Sequence, residues 1–323
     1  MPVHLLHQNM RAFGGGAGAR NAAYNAQLLN VAGRLAMGDR IAVCGLTEIL
    51  NNNTAANVLG GGGGQAFNLA GQLGANTTFV VGCGQTALNN QAMEYVCIGV
   101  HPTDAANLVG IGRIMIKADQ NVQLLDDYIA VANYNANWAN NTPPQATFDY
   151  RGLVYVTLAI NALPIAVGFL HNRYGSAQNG GQAERAMIAQ QLPRMAYLLD
   201  QRLGIGNVYI GGDFNVNVIA TRSLRGTDIF AYSRATTAIP PPPPPPPPPP
   251  TKQQAPVGAT SGGTTWAGSL YDYWYTSIDP AAPPPAGLIV PIADVDTDTL
   301  DTAIGYANGG VMSDHCAALL RII

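Results

Sequence analysis

Lysine is almost missing from this chain: Lys117 and Lys252 are the only two among sixteen basic residues. Charge of either sign is scarce, at 11% of 323 residues, and the formal net charge is −3. That balance argues against a protein that coats nucleic acid through bulk electrostatics, which needs a basic surface to displace counterions. It leaves room for an enzyme that grips phosphate with a metal ion and a few arginines. The lysine deficit has a plain reading, a GC-rich genome, and a sharper one, a toxin selected against lysine because it enters a foreign cell. No C-x-x-C spacing is present, so Cys44, Cys83, Cys97 and Cys316 do not suggest zinc. Cys44, Cys97 and Cys316 lie in or beside apolar runs, where cysteine serves as a small buried hydrophobe.

The opening Met1-Pro2-Val3-His4-Leu5-Leu6-His7 lacks the basic region and apolar run of a signal peptide. The expectation is a cytoplasmic protein, one exported by a leaderless route, or one whose leader has been removed. An uninterrupted membrane span is also lacking. Residues 152–170 carry no formal charge, but Asn161 and Pro164 interrupt them, and both halves are rich in Val, Ile, Tyr and Thr. The pattern predicts two buried strands, 153–160 and 165–171, joined by a turn at 161–164.

Further strand-like runs stand at 3–9, 41–47, 78–81, 95–100, 128–131, 208–210, 271–276 and 317–322. Helical periodicity marks 21–36 and, more clearly, 183–203, where Met187, Ile188, Leu192, Met195, Leu198 and Leu199 recur near a 3.6 period and Pro193 predicts a kink. Strands in pairs with occasional helices predict an α/β sandwich of two packed sheets flanked by helices. The chemistry-bearing segments run from residue 9 to residue 315, which predicts a single catalytic domain over 1–323. Eleven consecutive prolines at 240–250 can form only a polyproline II rod. They sit in an insertion at about 236–264 that must loop out, either to recruit a proline-binding partner or as a solvated spacer. The glycine run at 60–64 is followed by Gln65-Ala66-Phe67, not by the Gly-Lys-Ser/Thr of a phosphate-binding loop.

Two segments carry the strongest chemical signal: Gly211-Gly212-Asp213-Phe214-Asn215 and Ser313-Asp314-His315. Each places an acid and a second polar group next to a strand-like run. Metal-assisted attack on phosphate needs such groups: carboxylates for a hard cation, an imidazole to move a proton, and amides to grip oxyanions. Asn9, Glu48, Arg151, His171 and Asp272 also stand at strand-like runs. His4, His7 and His101 are assigned no functional role. Alone, Gly-Asp-Phe-Asn is a tight turn with an Asx hydrogen bond, Asp-His a surface turn, and His171 a hydrogen-bonded rim histidine. Together and in this order they point to a working site.

Their order and spacing resemble the endonuclease/exonuclease/phosphatase superfamily, nearest to its DNase I and toxin-nuclease branches. The resemblance spans almost the whole chain, and Gly-Asp-Phe-Asn and Ser-Asp-His are its specific pieces. It implies a four-layer α/β sandwich with the site at one end of two packed sheets, and a Mg²⁺-dependent phosphodiesterase, with Mn²⁺ or Ca²⁺ as alternative ions. By the same resemblance Glu48, Asp314 and Asn9 bind metal. Arg151, Asn215 and Asn9 contact phosphate, His171, His315 and Asp213 are catalytic, and Asp272 orients His315. Glu94 takes the place of the acid that partners the first histidine. Two departures stand out: Arg11 where some branches place an acid, and Thr47 where a glutamine commonly precedes the metal glutamate.

DNA is the leading substrate, favoured by Arg151, by the Asn172-Arg173 step and by the absence of an obvious lipid-binding apolar loop. Sphingomyelin or a phosphoinositide is the alternative, although Gly211-Gly212 and Val311-Met312 are neutral where an inositol phosphatase would be more basic. A third reading is an inactive binding module that uses the proline run. Which histidine acts as base stays open at this level.

Overall fold

The computed structural model describes residues 2–13, 31–49, 77–85, 93–118, 122–140, 150–172, 185, 188–204, 207–215, 231–233, 271–278, 286–290 and 317–322. The first four strands, β1 (Val3–Phe13), β2 (Arg40–Ile49), β3 (Thr77–Gln85) and β4 (Met93–Val100), belong to one sheet. The next seven form a second sheet: β5 (Leu108–Ala118), β6 (Val122–Ala130), β7 (Tyr150–Ile160), β8 (Leu163–His171), β9 (Asn207–Asp213), β10 (Ala231–Ser233) and β11 (Asp272–Ile278). The chain then returns to the first sheet with β12 (Ala286–Val290) and β13 (Ala317–Ile322). The strand orders are β12-β13-β1-β2-β4-β3 and β10-β11-β9-β8-β7-β5-β6. Parallel pairs (β1–β2, β8–β9, β10–β11) sit among antiparallel ones, so both sheets are mixed.

Side chains alternate across each strand, and that alternation builds the layers. Along β1, Val3 and Leu5 face the second sheet while Leu6 and Met10 face away from it. Along β8, Ile165, Val167 and Phe169 face inward while Ala166 and Leu170 face outward. Short helices α1 (Pro102–Ala105) and α2 (Ala136–Asn140) lie in connections, and α3 (Leu192–Leu203) covers the outer face of the second sheet through Leu192, Met195 and Leu199. On the outer face of the first sheet, Val31 and Leu35 pack against Leu6, Ile41 and Leu46. This is the sandwich of two packed sheets that the sequence predicts.

Residues 152–170 fall within the β7–β8 hairpin, paired from Val154–Phe169 to Ile160–Leu163, with Asn161 and Ala162 at positive φ in the turn. Among the described residues no helix is long and apolar enough to cross a membrane. Pro193 opens α3 and does not kink it, since the first turn of a helix needs no N–H from its proline. Strand β5 was not expected, because Gly110 and Gly112 break its apolar run. Both are places of close approach: a Cβ at Gly110 would overlap the Tyr128 hydroxyl, and one at Gly112 the Tyr155 ring. Cys44, Cys83 and Cys97 are buried, and burial pushes the thiols of Cys44 and Cys97 up from their usual value. Cys316 and the insertion at 236–264 lie outside the described residues.

Candidate active site

At one end of the sandwich the inward rows change from apolar to polar. On β1, Val3 and Leu5 give way to His7 and Asn9. On β4, Ile98 and Val96 give way to Glu94, and on β8 Val167 and Phe169 give way to His171. Thr47 on β2, Asp213 on β9 and Asp272 on β11 complete the set, and all seven side chains are buried. Strand direction explains why they meet. β1 and β2 run parallel with β4 antiparallel, and β8 and β9 run parallel with β11 antiparallel. The register of the second sheet sets Asp213 between His171 and Asp272.

Asp213 is held from several sides. Asn9 Nδ2 donates to its Oδ2 at 2.8 Å, a hydrogen bond that crosses between the sheets. The backbone N–H of Asn215 donates to Oδ1 at 2.9 Å, and Asn215 Nδ2 reaches Oδ2 at 3.2 Å. Asn215 adopts a left-handed backbone, φ 50°, which asparagine tolerates better than most residues. Asn172 locks this turn: its N–H donates to the Asp213 carbonyl and its Nδ2 to the Phe214 carbonyl, both at 2.8 Å, while its own carbonyl accepts from Asn215 Nδ2 at 2.9 Å. Phe214 points to the other face and stacks on Tyr273, with ring centroids 4.2 Å apart. The Asx turn and the presented carboxylate are thus one structure, because the turn aims the acid.

His171 reaches across to the first sheet. Its Nδ1 lies 2.6 Å from Glu94 Oε1, and since a carboxylate only accepts, Nδ1 carries the proton. Nε2 is then the nitrogen turned toward the other acids, 3.8 Å from Glu48 Oε2 and 3.7 Å from Asp213 Oδ2. Glu48 sits where the β2–β4 register shifts between Leu46 and Ile49, with φ 61°. A bulge of this kind re-aims a side chain, and a left-handed glutamate carries backbone strain. The Glu48 side chain keeps 17% exposure, whereas Glu94 and Asp213 are closed off.

The oxygens of Glu48, Asn9 and Asp213 are hard donors of the kind a divalent cation such as Mg²⁺ takes. Among the described residues no three His, Cys, Asp or Glu side chains form a metal cage. A cation bound through one or two carboxylates, water and phosphate needs none. Burial first, then the charges of Asp213 and Asp272, push the Tyr273 phenol well above its usual value, so it stays neutral.

The structure brings together Asn9, Glu48, His171, Asp213, Asn215 and Asp272, and adds Glu94 through its bond to His171. Arg151 lies on β7, with its side chain outside the described residues. Asp314 and His315 also lie outside them; the chain re-enters at β13, where Ala318 pairs with His7. His4 pairs with Asp39 at 2.9 Å, and His101 accepts from the Thr103 N–H at the start of α1, so neither joins the site. His7 does join it, contrary to expectation. Its Nε2 is 3.1 Å from Thr47 Oγ1, and its Nδ1 is 3.9 Å from Asp272 Oδ1. Sequence reasoning missed His7 and the locking role of Asn172. The available signal was period two: His7 continues the inward row of Val3 and Leu5 and precedes Asn9 in it.

No family model matches the sequence, and no curated protein matches it. Solved structures do match. An endonuclease/exonuclease/phosphatase from Bacteroides vulgatus aligns with TM-score 0.51 and 12% identity, over 99% of this chain and 98% of that one. The human Nocturnin catalytic domain with bound sulfate aligns with TM-score 0.51 and 13% identity, over 99% and 93%. D. rerio TDP2 complexed with a single-strand DNA product aligns with TM-score 0.51 and 11% identity, over 99% and 98%. At these identities the likeness establishes the fold: the chain carries the endonuclease/exonuclease/phosphatase, DNase I-like architecture.

Proposed function

We propose that this chain is a divalent-metal-dependent phosphodiesterase that hydrolyses DNA, acting as one catalytic domain with the insertion at about 236–264 looped out. The observation that carries the reading is the convergence of polar side chains from six strands at one end of the sandwich, tied across the two sheets by the Asn9–Asp213 and His171–Glu94 hydrogen bonds. Fold alone does not choose a substrate. The DNA product bound by D. rerio TDP2, of the same architecture, makes DNA the first substrate to test.

A cation held by Glu48, Asn9 and Asp314 would neutralise charge on a phosphate oxygen and lower the pKa of a water. In the hydrolysis, a water oxygen bonds to phosphorus, the ester P–O bond breaks, the water gives up a proton and the leaving oxygen gains one. His171 and His315 are the pair that moves these protons. Glu94 fixes the tautomer of His171, and Asp272 orients His315. Asp213, immobilised by Asn9 and Asn215, sets a fixed negative charge beside His171 Nε2. Arg151 and Asn215 contact phosphate oxygens.

The test is incubation of the purified chain with supercoiled plasmid, with Mg²⁺ or with chelator, beside sphingomyelin vesicles and a phosphoinositide. Nicking that requires Mg²⁺ is expected. Lipid hydrolysis without nicking would replace DNA as the substrate, and no hydrolysis of any of the three would overturn the enzyme reading.

A further inference from the structure

We infer that His7 is a positioning residue that couples the Glu48 side of the site to Asp272, an inference resting on the reading of Asp272 as the carboxylate that orients His315. Its place in the fold argues for more than core filling. The inward row of β1 places Val3 and Leu5 before it, and an imidazole buried there costs stability unless its nitrogens find partners. The ring reaches into both sheets: Nε2 lies 3.1 Å from Thr47 Oγ1 in its own sheet, and Nδ1 lies 3.9 Å from Asp272 Oδ1 in the other. Thr47 directly precedes Glu48 in the β2 irregularity, so one imidazole bonds the neighbour of the proposed metal-binding acid and lies 3.9 Å from the acid read as orienting the second histidine.

The ring is also held in its plane. Phe169 lies nearly parallel to it, with centroids 6.4 Å apart and planes at 21°, and Trp274 meets Phe169 edge-on at 5.9 Å. Gly45, opposite His7 in the β1–β2 register, lets this happen, because a Cβ there would overlap the Phe169 ring. His4, three residues earlier on β1, shows the contrast. It pairs with Asp39 near the surface and touches none of these groups. His7 therefore transmits the position of one half of the site to the other.

The test compares His7→Leu, His7→Gln and Thr47→Val in the full chain. His7→Leu should lower kcat for a DNA diester by roughly 10–100-fold, the range found when a supporting partner of a site ligand is removed, and should leave KM little changed. His7→Gln, which restores a polar contact, should recover much of that loss. Combined with Asp272→Asn, His7→Leu should cost far less than it does alone, since both act through one carboxylate. Near-wild-type kcat in a folded His7→Leu chain would overturn the proposal while leaving the proposed hydrolase intact. A second readout does not depend on turnover: long-range ¹H–¹⁵N spectra of the imidazoles. The His7 signals should move in Asp272→Asn and in Thr47→Val while those of His4 stay put. Unmoved His7 signals would sink the coupling even if the chain hydrolysed no diester.

Discussion

Among the described residues, two polar clusters lie between the sheets, and they differ in kind. At Arg113 the arrangement is an ion pair with its surroundings filled in. Nε and Nη2 donate to Asp127 at 3.0 and 2.9 Å, Nη1 and Nη2 reach the carbonyls of Gly82 and Trp138, and the guanidinium stacks on the Trp138 ring at 4.7 Å. At the other cluster, contacts are shared among several groups. Asp213 Oδ2 takes two amides and faces His171, His171 Nε2 faces two carboxylates, and Glu48 stays partly open to solvent. The first pattern cross-links β5 with β3 and the α2 connection, as one planar fork can. The second sets two acids 3.8 and 3.7 Å from one imidazole nitrogen and leaves one of them partly open to solvent, the arrangement expected if the proposed chemistry takes place there. Burial of charge alone does not distinguish the two clusters; sharing and access do.

Substitutions can separate the two. In His171→Asn the new amide takes the place of Nδ1 and can still donate to Glu94, while nothing replaces Nε2. The expected result is a loss of roughly 10²–10⁴ in kcat, typical of a proton-transfer group, with little change in thermal midpoint. A midpoint that collapses with the rate would mean that His171 belongs to the same class as Arg113.

Arg113→Ala should behave in the opposite way. Breaking a buried pair costs about 3–5 kcal/mol, and the lower end applies here because Asp127 keeps 29% exposure and can be hydrated. Denaturant unfolding should show that loss while kcat stays near wild type at a temperature where the variant is folded. A large kcat defect in the folded variant would erase the distinction.

The smallest effect concerns the outer face of the first sheet. With their thiols pushed up by burial, Cys44 and Cys97 should resist alkylation at pH 8 in the native chain and react at once in denaturant. Labelling of the native chain would show that this layer opens, making it the less rigid face of the sandwich.

Much of this was legible in the chain itself, for identifiable reasons. Segments such as 317–322 and 153–160 are largely apolar, broken only by Arg321 and Thr157, and the structure places strands there with little change of bounds. Strand β5 was hidden because its glycines look like interruptions, whereas Tyr128 and Tyr155 require them. The first half of β6 was hidden by Asp126 and Asp127, which are held by Tyr155, Arg113 and Trp138. Asp213 and Asn215 announce themselves because a short polar cluster ends an apolar run. Glu94 was visible only through resemblance, and His7 only as the continuation of the inward row of Val3 and Leu5. Their meaning lies in partners 77 and 265 residues away, and a partner across two sheets leaves no local pattern. Pro193 shows the same limit at small scale, since its effect depends on whether a helix is already under way or just beginning.

If the polar end of the inter-sheet layer is a metal-assisted phosphodiester-hydrolysing site, Glu48 is a principal ligand of its cation. The most direct test of that assignment is the initial rate of cleavage of a DNA oligonucleotide as a function of Mg²⁺ concentration, for the wild-type chain and for Glu48→Gln, with unfolding followed in parallel. Chelator should abolish cleavage, and a Glu48→Gln chain of near-native stability should have its activation curve moved to roughly 10–100-fold higher Mg²⁺. Superimposable activation curves for the two chains, or cleavage that proceeds in chelator, would contradict the assignment.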